Sequence, residues 1–260
     1  MKPSKLKIVI SFLFLMIWTI IIILSYSTLK FFKYSGRHVV VRQFHRGILR
    51  CFNIEVTLEG TLHTDVPTLY ISNHISYLDI FVLGSQVPGT YIAKSEVAKW
   101  PLFGFLAKLQ DTLFIERRSR KVGSQIEQIQ HHLLKGHRLI LFPEGTSNIG
   151  TFVAPFHSSF FQSADNDQIT IQAITVSYTH YQNNLMDRSE RDFYAWYKPR
   201  KILPHFLNGL GLGRGRAHLT FHKPVKLNQF ESRKACASHC ENLIRQGLLK
   251  SLELEAEITR

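Results

Sequence analysis

The chain has 260 residues, 45% hydrophobic and 20% charged, which is enough for one sizeable domain with an appendage and excludes a disordered, collagen-like or disulfide-built protein. Its formal net charge of +13 invites a nucleic-acid reading, yet nine of the 32 basic residues and none of the 19 acidic ones lie in residues 1–50, leaving a near balance of 23 against 19 beyond them. A basic excess gathered around a greasy segment suits an anionic membrane surface, and no nucleic-acid partner is expected.

The first predicted element is that greasy segment. From Ile8 to Leu29 no residue is charged, and Lys7 and Lys30 bound the run. A membrane-spanning helix needs about 20 such residues. A cleaved signal peptide is the competing reading, but its apolar core is roughly 7–15 residues long, and Ser25-Tyr26-Ser27 makes a poor cleavage site. Lys2, Lys5 and Lys7 precede the run, whereas Lys30, Lys33, Arg37, Arg42, Arg46 and Arg50 follow it. The larger positive block stays inside, which predicts an inner (cytoplasmic) membrane protein with a single N-terminal anchor and a catalytic domain on the cytoplasmic side. A shallow helical hairpin in one leaflet satisfies the same pattern. The expected division is residues 1–50 as anchor with a basic juxtamembrane stretch, and 51–260 as the domain.

Beyond residue 50, apolar runs of strand and helix character alternate. Strands are expected at Ile54–Leu58, Thr68–Ser72, Thr90–Ala93, Thr112–Ile115, Arg138–Phe142, Ile169–Ser177 and His218–Phe221, all rich in Val, Ile, Thr, Tyr and Phe. Helices are expected at Tyr77–Leu83, Glu96–Leu109, Gly123–Lys135 and Gln229–Leu254. The alternation predicts an α/β domain, a mixed sheet flanked by helices. Residues 182–216 show no clear period, and Gly211-Leu-Gly-Arg-Gly-Arg216 reads as a loop that fits neither a P-loop nor a dinucleotide fingerprint. The three cysteines, Cys51, Cys236 and Cys240, read as free thiols. Cys240 also belongs to an apolar helix stripe with Ala237, Ile244 and Leu248, so no metal site is expected there, nor at His218 and His222.

Three stretches carry chemistry. In Leu69-Tyr-Ile-Ser-Asn-His-Ile-Ser-Tyr-Leu-Asp79 a strand ends at Ser72, a polar turn follows, and a helix begins near Tyr77 with Ser76 as its expected N-cap. Five positions along a regular helix place two side chains about 140° apart, so His74 and Asp79 face each other only with His74 on the turn and Asp79 in the first helical turn. Asp79 then orients the imidazole, and the other ring nitrogen can take a proton from a hydroxyl. Taken alone, this spacing equally describes a polar turn and a helix cap. In Leu139-Ile-Leu-Phe-Pro-Glu-Gly-Thr146 a buried strand stops at Pro143 and places Glu144 at the sheet edge, where the Gly145 N–H could serve an oxyanion or a hydroxyl. A serine-hydrolase elbow fails here, because Gly145-Thr-Ser-Asn-Ile149 lacks the last glycine. In Thr112-Leu-Phe-Ile-Glu-Arg-Arg-Ser-Arg120 a strand delivers arginines suited to a phosphate or a carboxylate.

Together these stretches resemble the glycerolipid acyltransferase family, best known for lysophosphatidic acid acyltransferases. The shared signatures are Asn73-His74-x4-Asp79, Phe114-Ile115-x-Arg117 and Phe142-Pro-Glu-Gly-Thr146, with Ala93-Lys94, Pro101-Leu-Phe-Gly104 and Ile174-Thr-Val176 at family positions. The resemblance implies His74 as general base and Asp79 as its orienter. It implies Arg117, and more weakly Lys94, as ligands of the acceptor's polar head, with Glu144, Gly145 and Thr146 shaping the acceptor site. The donor would be acyl-CoA or acyl carrier protein, the acceptor hydroxyl that of lysophosphatidic acid at the membrane in phospholipid biosynthesis, with no cofactor and no metal. Ser147 stands where the family often has Arg. Pro155-Phe-His-Ser-Ser-Phe-Phe161, Phe193-Tyr-Ala-Trp-Tyr197 and Leu203-Pro-His205 look like the bacterial branch that includes lyso-ornithine lipid acyltransferases, so that phosphate-free acceptor is the alternative. A non-catalytic membrane-tethered binder of anionic ligands and a lipid hydrolase remain as readings from other classes.

Overall fold

The computed structural model describes residues 3–34, 36–100, 103–116, 122–197 and 199–258. Its strands are β1 (Ile54–Gly60), β2 (Thr68–Ser72), β3 (Thr90–Lys94), β4 (Leu113–Ile115), β5 (Arg138–Leu141), β6 (Thr170–Tyr181), β7 (Asn184–Leu185) and β8 (Gly215–Phe221). They form one mixed sheet in the order β1-β8-β6-β2-β5-β3-β4, with β7 beside β6. β2 is parallel to β5 and β6, whereas β8 runs antiparallel to β6 and parallel to β1. All five residues of β2 are buried, as a central strand covered on both faces requires. β8, one strand from the edge, alternates buried and half-buried positions instead.

Alternate side chains of each strand enter two cores. Tyr70, Ile174 and Val176 face α2 (Arg37–Cys51), α3 (Leu78–Gly84) and α7 (Ile202–Leu210), where Phe44, Ile48, Phe81 and Phe206 are buried. Leu69, Ile71, Ile171 and Ala173 face α5 (Val122–Leu134) and α8 (Arg233–Ile258), meeting Ile129, Leu133, Cys240 and Ile244. The expected strands and the cysteine stripe of α8 are all present.

Four local departures have physical causes. The helix expected over Glu96–Leu109 is split into a 3-10 turn at Ser95–Lys99 and α4 at Phe103–Leu109. Trp100 between them is extended (ψ 130°), as the residue before a proline prefers. α8 starts at Arg233 rather than Gln229, because Ser232 caps it by accepting the Ala235 N–H at 3.2 Å. Ser76 does not cap α3: its hydroxyl is buried without a partner, and the Asp79 carboxylate collects the nearby backbone N–H groups instead. Residues 182–216, featureless in sequence, hold α6 (Arg191–Tyr194) and α7, and the glycine run is a loop that enters β8 at Gly215.

The apolar run forms α1 (Lys5–Phe31), one continuous 27-residue helix long and apolar enough to cross a membrane. It packs along α2 and α7. Leu15, Thr19 and Tyr26 are buried, while Leu6, Val9, Ile10, Leu13, Ile17, Ile20, Ile21 and Leu24 are exposed. At the tightest point a Cβ added to Gly47 of α2 would lie 1.9 Å from the Trp18 indole nitrogen. Gly47→Leu is therefore expected to lift α1 off α2 and to cost about 1–3 kcal/mol by overpacking. A lowered thermal midpoint and faster proteolysis between α1 and α2, in detergent, are the readouts.

Candidate active site

β2, β5 and β6 are parallel, so their C-terminal ends share one edge of the sheet, the usual place for a site in such folds. His74 and Asp79 follow β2, and Phe142 to Thr146 follow β5. The two stretches are joined residue by residue. The His74 N–H donates to Glu144 Oε1 at 2.7 Å, and the His74 carbonyl accepts the Asn148 N–H at 3.0 Å. Asn73 anchors the turn to β6 through a two-way amide pairing, Nδ2 to the Val176 carbonyl (2.9 Å) and Oδ1 from the Val176 N–H (2.8 Å).

Asp79 is fully buried and its carboxylate is saturated. Oδ2 lies 2.8 Å from His74 Nδ1 and accepts the N–H groups of Ile75 (2.6 Å) and Ser76 (2.9 Å). Oδ1 accepts the Tyr178 hydroxyl at 2.9 Å. Burial, with the Asp79 charge second, pushes the Tyr178 pKa well up, so that hydroxyl keeps its proton. A carboxylate that only accepts fixes the His74 tautomer with the proton on Nδ1 and leaves Nε2 as the basic nitrogen. The imidazole stacks on Phe142 (centroids 4.3 Å, planes 20° apart), and its side chain keeps 21% exposure. This arrangement can deprotonate a hydroxyl delivered from outside.

Glu144 is buried too. Oε2 accepts the Asn148 side-chain amide and the Ala154 N–H, each at 2.7 Å. Burial pushes its pKa up to about 7, against the opposing pull of the Ala154 and His74 N–H groups. Both oxygens thus brace the protein's own loop. Gly145 occupies the left-handed region (φ 73°), which favours glycine, and its N–H donates to the Phe142 carbonyl at 3.2 Å. Thr146 is exposed on the same turn. Lys94 is exposed at the end of β3, on the same edge as His74. Arg117 lies outside the described residues. The Ser147 hydroxyl donates to the Trp196 carbonyl, and the Trp196 N–H donates to the Ile75 carbonyl at 3.0 Å, so Trp196 lies across the turn that carries His74. Sequence reasoning missed the parts of Asn148, Tyr178 and Trp196. Tyr178 left a signal, being two residues past Val176 on the same strand face, and Trp196 lies in the Phe193–Tyr197 stretch singled out above without a role.

A family model described as Acyltransferase matches residues 53–177, a span that holds His74, Asp79, Lys94, Arg117 and Glu144 to Thr146. A lyso-ornithine lipid O-acyltransferase from Brucella abortus is 35% identical over 223 residues, covering 83% of each chain. The chain belongs to the glycerolipid acyltransferase family. It is an O-acyltransferase of lipid metabolism. A relative from Rhizobium meliloti, also named lyso-ornithine lipid O-acyltransferase, is 32% identical over 83% of this chain and 75% of its own. A 1-acyl-sn-glycerol-3-phosphate acyltransferase from Neisseria meningitidis is 32% identical over 62% of this chain and 63% of its own. In fold, the chain matches the crystal structure of the 1-acyl-sn-glycerophosphate acyltransferase PlsC from Thermotoga maritima, with a TM-score of 0.68 at 20% identity over 95% and 96% of the two chains.

Two substitutions test the bracing. Glu144→Gln replaces an acceptor oxygen by an amide that must face an N–H donor, with an expected stability loss of about 1–3 kcal/mol and a fall in turnover larger than any change in KM. Tyr178→Phe removes one of four bonds to Asp79, with an expected loss of about 1.5–3 kcal/mol, as for a hydrogen bond to a charged group. Thermal denaturation beside steady-state kinetics reads both.

Proposed function

We propose that this acyltransferase moves a fatty acyl group from a thioester donor, acyl-CoA or acyl carrier protein, onto the hydroxyl of lyso-ornithine lipid. His74 is the general base and Asp79 its orienter. The observation that carries the chemistry is the 2.8 Å His74 Nδ1 to Asp79 Oδ2 contact on a partly exposed ring. Of the described serines around the turn, Ser147 and Ser72 give their protons to main-chain carbonyls and Ser76 is fully buried, which supports a nucleophile that comes from the substrate. His74 Nε2 takes the hydroxyl proton while the oxygen attacks the thioester carbonyl carbon. The C–S bond breaks, and the departing thiolate takes the proton back from Nε2, leaving an ester and a free thiol.

Two findings favour the zwitterionic acceptor over lysophosphatidic acid. The relatives from Brucella and Rhizobium carry that name over most of the chain. Ser147, at a position where an arginine would meet a phosphate, is instead tied to Trp196. Lysophosphatidic acid is the second reading, supported by the Neisseria relative. Arg117 and Lys94 remain proposed ligands of the acceptor head, while Glu144, Gly145 and Thr146 shape the loop beside it.

For the membrane, the ties of α1 support a helix lying along the flank of residues 51–260. The Ser4 N–H donates to the Gly211 carbonyl at 3.2 Å, and Lys7 Nζ bonds the Leu212 carbonyl. With its start held there and its length against α2, its exposed side enters the cytoplasmic leaflet of the inner membrane laterally. Residues 1–50 serve as the membrane unit, although Phe44 and Ile48 also enter the core of the catalytic domain.

His74→Ala is expected to keep its circular dichroism and to lose about 10²–10⁴-fold in turnover. Detergent-solubilised enzyme with labelled acyl-CoA and acyl carrier protein in parallel, offered lyso-ornithine lipid or lysophosphatidic acid, provides the measurement. Undiminished turnover by a folded His74→Ala protein would sink the mechanism. Thiol release without any acceptor would mark a hydrolase.

A further inference from the structure

Three hydrogen bonds hold His74, through its ring Nδ1, its N–H and its carbonyl. They leave the tilt of the imidazole plane open, because a ring held by one nitrogen can still pivot about that bond. The face contact with Phe142 closes this freedom, with centroids 4.3 Å and planes 20° apart. A pivot toward Phe142 is blocked, and a pivot away gives up the contact.

The strand pattern explains why Phe142 stands there. It lies two residues beyond Ile140, just past the end of β5, and so on the same face of the sheet. Ile140 pairs with Tyr91 of β3, which makes Tyr91 and Phe142 diagonal neighbours in one core. Their rings are nearly parallel (11°), with centroids 6.3 Å apart. Tyr91 is buried, and its hydroxyl donates to the Ile80 carbonyl of α3 at 2.7 Å. The Phe142 carbonyl accepts the Gly145 N–H, which closes the turn behind it. Phe142 itself is half-buried.

Phe142 also acts on charge. Taking up a hydroxyl proton turns the imidazole into a cation. Asp79 meets that cation at its edge, through Nδ1. Phe142 meets it from the side, where π electrons make an aromatic face negative. With the His74 side chain only 21% exposed, little water screens the attraction. A leucine would fill the space without it. The contact is stronger for the imidazolium than for the neutral ring, so it lowers the barrier rather than tightening substrate binding.

Resting on the reading of His74 as general base, we propose that Phe142 is a positioning residue of the transfer. Its face sets the tilt that aims His74 Nε2 at the hydroxyl, and it stabilises the imidazolium while the proton is held. Tyr91 keeps Phe142 in place from β3. No bond to Phe142 forms or breaks, and the proton passes only from the hydroxyl to Nε2 and on to the departing thiolate.

The test replaces Phe142 in the full-length enzyme by phenylalanines carrying one, two, three or five ring fluorines. Fluorine alters the shape of the ring little and withdraws electrons from its face step by step, so a side chain that only packs is indifferent to it. The single-turnover rate of acyl transfer is expected to fall along the series, by about 3–30-fold at five fluorines, the scale of one cation–π contact, with KM unchanged. Phe142→Leu is expected to lose at least as much, and should it fold poorly the fluorinated set still decides. A flat series, or a change carried by KM alone, would overturn the role of Phe142 and leave His74 standing as the base. Wild-type turnover by a folded His74→Ala protein would remove both.

Discussion

The edge of the sheet that carries the candidate site depends on one buried carboxylate. Stripping water from Asp79 costs several kcal/mol unless partners replace it. Four donors do so, from two backbone N–H groups, an imidazole and a tyrosine hydroxyl. Each donor imposes a condition. The Ile75 and Ser76 N–H groups must turn inward, which fixes the path from β2 to α3. Tyr178 must come from β6, and it reaches Asp79 because it stacks on Tyr194 at 5.4 Å. The imidazole, last of the four, then has only one orientation left.

The second carboxylate works on the main chain of the first motif rather than on a side chain. Glu144 and Asn148, from one loop, hold the N–H and the carbonyl of the same residue, His74. In the proposed mechanism this stiffness counts, since a general base contributes only when its lone pair already points at the hydroxyl. Two motifs separated by 70 positions therefore behave as one rigid unit. Trp196 crosses that unit, tied to it by the Ile75 carbonyl and the Ser147 hydroxyl.

Much of this was legible in the sequence. Every expected strand appears, because central strands between two helical layers leave dense apolar runs that few other structures use. The facing of His74 and Asp79 was also readable, since a five-residue gap forces the turn-then-helix arrangement. Other features left no local trace. α2 was read as a basic stretch: its Arg residues dominate the composition, although Phe44, Ile48 and Phe52 follow helical spacing. α7 is short and drew no period from its neighbours. The bracing of Glu144 was hidden because three of its partners are identified only by folding, and two of these are backbone N–H groups that carry no residue identity.

The packing of α1 has a thermodynamic corollary. Leu15 belongs to the same buried cluster as Phe44 and Phe206, while the opposite side of that helix is bare hydrocarbon. Insertion of that bare side into a bilayer or a micelle would make conformational stability a function of amphiphile activity, by as much as the native chain binds amphiphile better than the unfolded one. The stability of this chain is a surface over temperature and detergent concentration, and values measured in different detergents differ by their affinity for α1.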